Sequence, residues 1–376
     1  SGVGCDSYEN IADIQRITTS WGYQAAAARA ARIGEHQLAL AYWDSSRTVK
    51  TLAPLSRKQI KVFKKHHEQT DAIDYILQRA KNEQAVFINE AHHNSQHRNF
   101  SKQLLIGLYG LGYRYLGLEA LWKKDSINER KFPVQKSGIY TKDPEFANFL
   151  RLALDLGFEL FAYESSSGVK KKEREIEQAM NIKKILDKDP QAKIFVHAGF
   201  GHIKEDTTLT KKGKAMAGCF KEFTGINPLT IDQVDLSERS QSDYENPYRQ
   251  IFPILESSVF VNKNEQAFTL PSKTNSFDIQ VFHPKTNYLN HRPDWKYLPD
   301  TKPKFVEEFL TPCTATSGII AAYKASEAAK SPLNELVPVD MMILKPNHKQ
   351  PLLLSKGKYV LEICCGDKII TKNIEI

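Results

Sequence analysis

The run Ala85-Val86-Phe87-Ile88-Asn89-Glu90-Ala91-His92-His93-Asn94-Ser95-Gln96-His97-Arg98 decides the fold. Its apolar start, with β-branched and aromatic side chains, predicts a short buried strand. The strand ends on a carboxylate, and three histidines and an arginine follow within eight residues. Outward from this stretch, apolar runs alternate with helical patterns. Strands are expected at Tyr113 to Leu118, Phe158 to Tyr163, Lys193 to Val196 and Pro228 to Ile231. Helices are expected at Asn99 to Leu111, Pro144 to Leu156 (stopped by Gly157) and Lys171 to Lys188. Strand alternating with helix at this spacing implies βαβ units, so the fold class is α/β with a mainly parallel sheet flanked by helices.

The flanks differ. Trp21 to Trp43 reads as a helical hairpin broken at Gly34. Ser56 to Gln69 and Asp71 to Lys81 read as further helices. The last third is proline-rich, with one helix expected at Ser317 to Ala329. Strands follow at Val339 to Leu344, Lys358 to Cys365 and Lys368 to Ile376, the last two joined by Gly366-Asp367 as a hairpin. The expected organisation is a helical segment 1–70, an α/β domain 71–240 carrying the site, and a β-rich module 241–376.

The 376 residues are 41% hydrophobic and 26% charged, which excludes a disordered or fibrous chain. No apolar run nears the roughly 18 residues of a membrane-spanning helix. Net charge is +8, from 52 Lys and Arg against 44 Asp and Glu. The densest basic run, Lys170-Lys171-Lys172, leads directly into Glu173-Arg174-Glu175. It reads as a solvated helix start, so no nucleic-acid partner is expected. Five cysteines include no CxxC pair, and no HExxH or GxGxxG is present. Cys364 and Cys365 read as structural, with no disulfide between them. Cys5 after Val3-Gly4 resembles a lipoprotein cleavage box, an expectation of an extracytoplasmic, periplasmic or lipid-anchored bacterial protein.

The chemistry is expected where the strands end. The first four close on Glu90, Glu119, Glu164 and His197. In open α/β sheets, ligands bind beyond the carboxyl ends of the strands. Three carboxylates and a histidine there mark an active site. His92, His93 and His202 add bases that work near neutral pH. His92 or His93 is expected to activate water, held by Glu90 or Glu119. His197 or His202 would polarise the substrate or protonate the leaving group. Arg98 and Arg174 would hold an anionic portion of the substrate. A metal-assisted variant would use Glu90, His92, Glu164 and His197 as ligands of a divalent ion. Glu90→Gln is expected to lower activity about 100-fold or more and leave stability nearly unchanged.

At these residues the chain resembles a superfamily grouping erythromycin esterase-like enzymes, ChaN-type haem-binding uptake lipoproteins and Tiki/TraB-type proteases. The ChaN-type branch carries Gly-Glu-x-His-Asp-Asn-x-x-His-His after a strand. Glu90, His92, Asn94 and His97 match it, while Asn89, His93 and Arg98 replace the Gly, the Asp and the last His. The esterase branch carries Gly-Glu-x-x-His, satisfied by Glu90 and His93, and a Glu closing the next strand, matched by Glu119. Its Arg-x-x-x-Met-Ala-x-Asn helix is echoed by Arg174, Gln178, Ala179 and Asn181. Its Ala-His-Asn-x-His is echoed by His197 and His202, which stand further apart here and lack the Asn. The resemblance covers roughly residues 80–235. It implies a hydrolase of ester or amide bonds acting on a small molecule or peptide, with Asn181 and Tyr163 near the substrate. The alternative it implies is binding of haem or another iron ligand, with Tyr140 and Tyr163 as candidate neighbours.

Overall fold

The structure, a computed structural model, describes residues 2–206, 213–306 and 318–376. Helices α1 (Ser20–Arg32) and α2 (His36–Ser45) form the expected N-terminal hairpin. Gly34 makes its turn at φ +81°, where its bare Cα approaches the Met341 carbonyl.

The central sheet contains β1 (Ala85–Glu90), β2 (Tyr113–Leu118), β3 (Glu159–Ala162), β4 (Lys193–Gly199), β5 (Leu229–Asp232) and β6 (Ile279–Gln280). Its order is β3-β2-β4-β1-β5-β6 and every pairing is parallel. Every residue of β1 is buried, the mark of a strand covered on both faces. Val86 and Ile88 enter one core, with α3 (Ser95–Gly110) and α4 (Pro144–Leu156). Ala85 and Phe87 enter the other, with α5 (Lys171–Lys188) and α6 (Met216–Thr224). The two-residue period of the strand therefore sorts its side chains between two hydrophobic layers.

The C-terminal module holds β7 (Gly318–Lys324), β8 (Asp340–Leu344), β9 (Lys358–Cys365) and β10 (Lys368–Glu375), antiparallel in the order β8-β7-β9-β10. Gly366-Asp367 turns β9 into β10 as expected. Strand β7 corrects the helix expected from Ser317, itself outside the described residues. Ile319, Ala321 and Tyr323 face the N-terminal segment, and Ile320 and Ala322 face the module's own core. Both edges of β7 are paired. Burial on two faces overrides the helical preference of its alanines. Only Ala325–Ala328 is helical.

The expected boundary at residue 240 also shifts. Ile279–Gln280 adds the sixth strand to the α/β sheet, and Ser258–Val261 pairs with Glu68–Asp71. The two ends of the chain are tied as well: Cys5 forms a disulfide with Cys364. Cys365 is disulfide-bonded too, and Cys219 is the free cysteine among the described residues. Cys313 lies outside them. No helix of the described residues is long and apolar enough to cross a membrane.

Candidate active site at the carboxyl edge of the sheet

The parallel order places the ends of β3, β2, β4 and β1 side by side. Glu164, Glu119, His197 and Glu90 therefore lie along one edge. Glu90 is fully buried and is the anchor. Arg98, one turn into α3, clamps it with Nε donating to Oε1 at 2.9 Å and Nη2 to Oε2 at 2.7 Å. Asn94 caps α3 and starts it at Ser95, four residues earlier than the sequence suggests. That early start aims Arg98 back under β1. Its remaining nitrogen donates to Asp143, which also accepts from Ser95.

His92 lies above Glu90 with Nδ1 3.0 Å from Oε2. The ring is sandwiched flat against Tyr140, with centroids 3.8 Å apart, and meets the edge of Phe200. Its Nε2 stands 3.8 Å from Glu119. On the far side of Glu119, His202 brings its Nε2 to 3.3 Å, while its Nδ1 lies 2.7 Å from Glu175. Glu119 also accepts the Gly199 N–H at 3.3 Å and lies 3.7 Å from Arg174. Two imidazoles thus face one carboxylate, and each rests its other nitrogen on a second carboxylate. The His92 and His202 side chains are 18% and 14% exposed, whereas Glu90 and His197 reach no solvent.

The electrostatics follow from these contacts. Burial alone would raise the Glu90 carboxyl; Arg98 and then His197 and His92 outweigh it and hold it well below the carboxylate range. Burial would lower His202, but Glu119 and Glu175 outweigh it and raise its pKa. Glu164, opposed by burial but bound by Arg174, Ser165 and Gln178, is pushed down to about 2.

Several expected roles are corrected. Arg98 is about 1% exposed and holds Glu90 from below, so it does not meet substrate. His197 sits beneath the site, fully buried, with Nε2 3.1 Å from Glu90 without hydrogen-bond alignment. His93 stacks on Trp43 and is buried; burial and neighbouring cations hold it well below the usual histidine range, so it is not the cleft base. His97 is likewise spent inside, accepting the Ala91 N–H and bonding Ser237. Tyr163 is fully buried and donates to the His197 carbonyl, while the Asn181 amide donates to the Tyr163 and Glu164 carbonyls. Both shape the strand end and do not face a ligand. Arg174 remains at the mouth, 35% exposed and paired with Glu164 at 2.6 Å.

The proposed metal set does not assemble. Arg98 occupies both oxygens of Glu90, and Arg174 both oxygens of Glu164. A divalent cation would displace two guanidinium groups. Among the described residues the one cluster with ligand spacing is Cys5, Glu362 and Cys364, whose sulfurs are joined to each other. Nor do the tyrosines present an axial ligand for haem, since Tyr163 is spent on a carbonyl and Tyr140 lies flat on His92.

Sequence reading missed Glu175, which looked like one charge of a solvated helix start. It meets the site through His202 Nδ1 and also accepts the Met216 N–H. A carboxylate beside Arg174 was the available signal. The glycines of His197-Ala198-Gly199-Phe200-Gly201-His202 allow close approach, and Gly199 makes one. A β-carbon there would lie 2.3 Å from His92 Nε2.

No protein-family model matches the chain, and no curated protein matches it significantly. Among solved structures, it is similar to the type III effector HopBA1 at 12% identity and TM-score 0.33, covering 44% of this chain and 83% of that one. RRSP, a MARTX toxin effector domain from Vibrio vulnificus CMCP6, matches at 13% and 0.33, covering 55% and 45%. The C-terminal region of Pasteurella multocida toxin, described with a thiol-protease-like catalytic triad, matches at 10% and 0.29, covering 91% and 54%. This chain thus spans about half the length of the two toxin structures. Likeness at this level carries no conclusion about activity.

Proposed function

We propose that the chain is a hydrolase of an ester or amide bond, with protons moved by the strand-end histidines. The observation that carries this reading is the pairing of His92 and His202 across Glu119. With Nδ1 on Glu90, His92 turns its Nε2 toward the Glu119 side. It is the base that takes a proton from an attacking water. His202, held protonated by Glu119 and Glu175, supplies the proton to the leaving group. Arg174 at the mouth steadies negative charge developing on the substrate.

Among the described residues, a water nucleophile suits the site better than a thiol. Cys219 is buried, and burial pushes its thiol up, away from the thiolate form. The ordered strand ends support placing the chain beside the esterase-like, ChaN-type and Tiki/TraB-type superfamily. The Cys5–Cys364 disulfide supports an oxidising, extracytoplasmic setting.

The test is turnover on a panel of nitrophenyl esters and peptide anilides, for wild type and His202→Gln. The expected result is measurable wild-type turnover that falls about 100-fold or more in the variant. Equal turnover in the two proteins would remove His202 from the mechanism.

A further inference from the structure

A cavity lies on the same sheet edge, beyond the Glu90 cluster. It encloses about 390 Å³, within the range of small-molecule sites. Adjacent residues of β1 divide the two places: Glu90 turns to the histidines, and Asn89 lines the cavity. Phe200 is the shared wall, meeting His92 edge-on and facing the cavity as well. It holds this position with φ at +43° and its N–H on the Glu90 carbonyl. A non-glycine residue in that conformation is fixed by its surroundings.

The lining is cationic. Arg47, Lys204, Arg239 and Lys273 all border the cavity, against Asp232 and Asp235. The two acids are already engaged. Asp232 accepts from the Asn89 and Gln280 amides and from two backbone N–H groups, and Asp235 accepts from Gln280. The cations are not neutralised to the same degree. Arg239 has Asp44 only at 3.7 Å, and Arg47 lies over the Trp43 ring at 4.4 Å. Neither lysine has a carboxylate partner among the described residues. Burial and then Arg239 lower the pKa of Arg47, and Asp44 offsets them only in part.

We propose that this cavity binds a small organic anion, a carboxylate or phosphate carried on a body larger than the anion itself. The volume exceeds that of a bare phosphate or acetate, and Phe200, Tyr244 and Phe277 offer ring surfaces to the remainder. Resting on the hydrolytic reading above, the cavity holds the anionic end of the substrate while the scissile bond lies beside His92, across Phe200.

Calorimetric titration with phenyl phosphate, phenylacetate and the neutral benzyl alcohol tests this, on wild type and on Lys204→Gln, Lys273→Gln, Arg239→Gln and His92→Gln. Saturable binding of one or both anions is expected, with none for the alcohol. The stronger of the two identifies the phosphate or the carboxylate source. Each of the three cation variants should weaken binding about 10-fold, the scale of losing one charged contact. The lysines are partly exposed, so their variants keep the fold, which unfolding curves will verify. His92→Gln should bind like wild type, so anion binding that survives without turnover separates this claim from the hydrolytic one. Absence of saturable anion binding, or binding unchanged in all three cation variants, overturns the proposal.

Discussion

Gly199 and His92 are packed so closely that a β-carbon on residue 199 would stand 2.3 Å from the imidazole Nε2. The ring cannot yield easily, because Glu90, Tyr140 and Phe200 hold its other sides. Gly199→Ala is therefore expected to tilt His92 off Glu90. Turnover should fall about 10- to 100-fold, with a stability cost of about 1–3 kcal/mol from overpacking. Kinetics and urea unfolding on the same preparation check both. Unchanged turnover would show that His92 has room to move.

Glu90→Gln is not the clean catalytic probe it looks like from sequence alone. The carboxylate is fully buried and holds Arg98 with two bonds. Its removal leaves a buried guanidinium short of charge, and breaking such a pair costs about 3–5 kcal/mol. Stability and activity should fall together. A loss below about 1 kcal/mol in denaturant unfolding would mean Asp143 alone suffices for Arg98.

The same contrast marks what was legible. Apolar runs closed by Glu90, Glu119 and His197 announced the sheet and its edge, because strands buried on both faces need continuous hydrophobic sequence. Side-chain direction was not legible. His92 and His93 are neighbours in sequence, and only the turn before α3 sends one into the cleft and the other onto Trp43. Glu175 was hidden among surface-like charges. The strand Ile279–Gln280 is too short to leave a periodic signal, and the alanines of β7 mimic a helix.

The pH dependence of turnover should show an alkaline limb from His202. Its folded pKa is raised, so the protonated acid persists above the ordinary histidine value of about 6.5 and is lost as pH rises through the raised value. The same group contributes stability below pH about 6.5 that disappears through that window. Glu175→Gln removes one charge holding the proton. It should shift the limb to lower pH, which a pH–rate profile measures directly. An unshifted limb would assign it to another group.

Glu205 is raised to about 7, first by burial and then by Asp278. A carboxyl protonated in the fold and ionised when unfolded destabilises the fold progressively between pH about 4.5 and 7, and the penalty stays constant above. Glu205→Gln keeps an acceptor for Thr230 and removes that penalty. The variant should match wild type near pH 4.5 and exceed it by about 2–3 kcal/mol at pH 8. Thermal or urea unfolding at the two pH values decides it, and a pH-independent difference would refute the assignment.

The central claim is that His92, seated on Glu90 and facing Glu119, is the base of a hydrolytic site. The most direct measurement is turnover by His92→Gln on the ester and anilide panel, with thermal unfolding alongside. His92 is partly exposed, so the variant should unfold close to wild type while turnover falls at least about 100-fold. A folded His92→Gln protein that keeps full turnover would contradict the account.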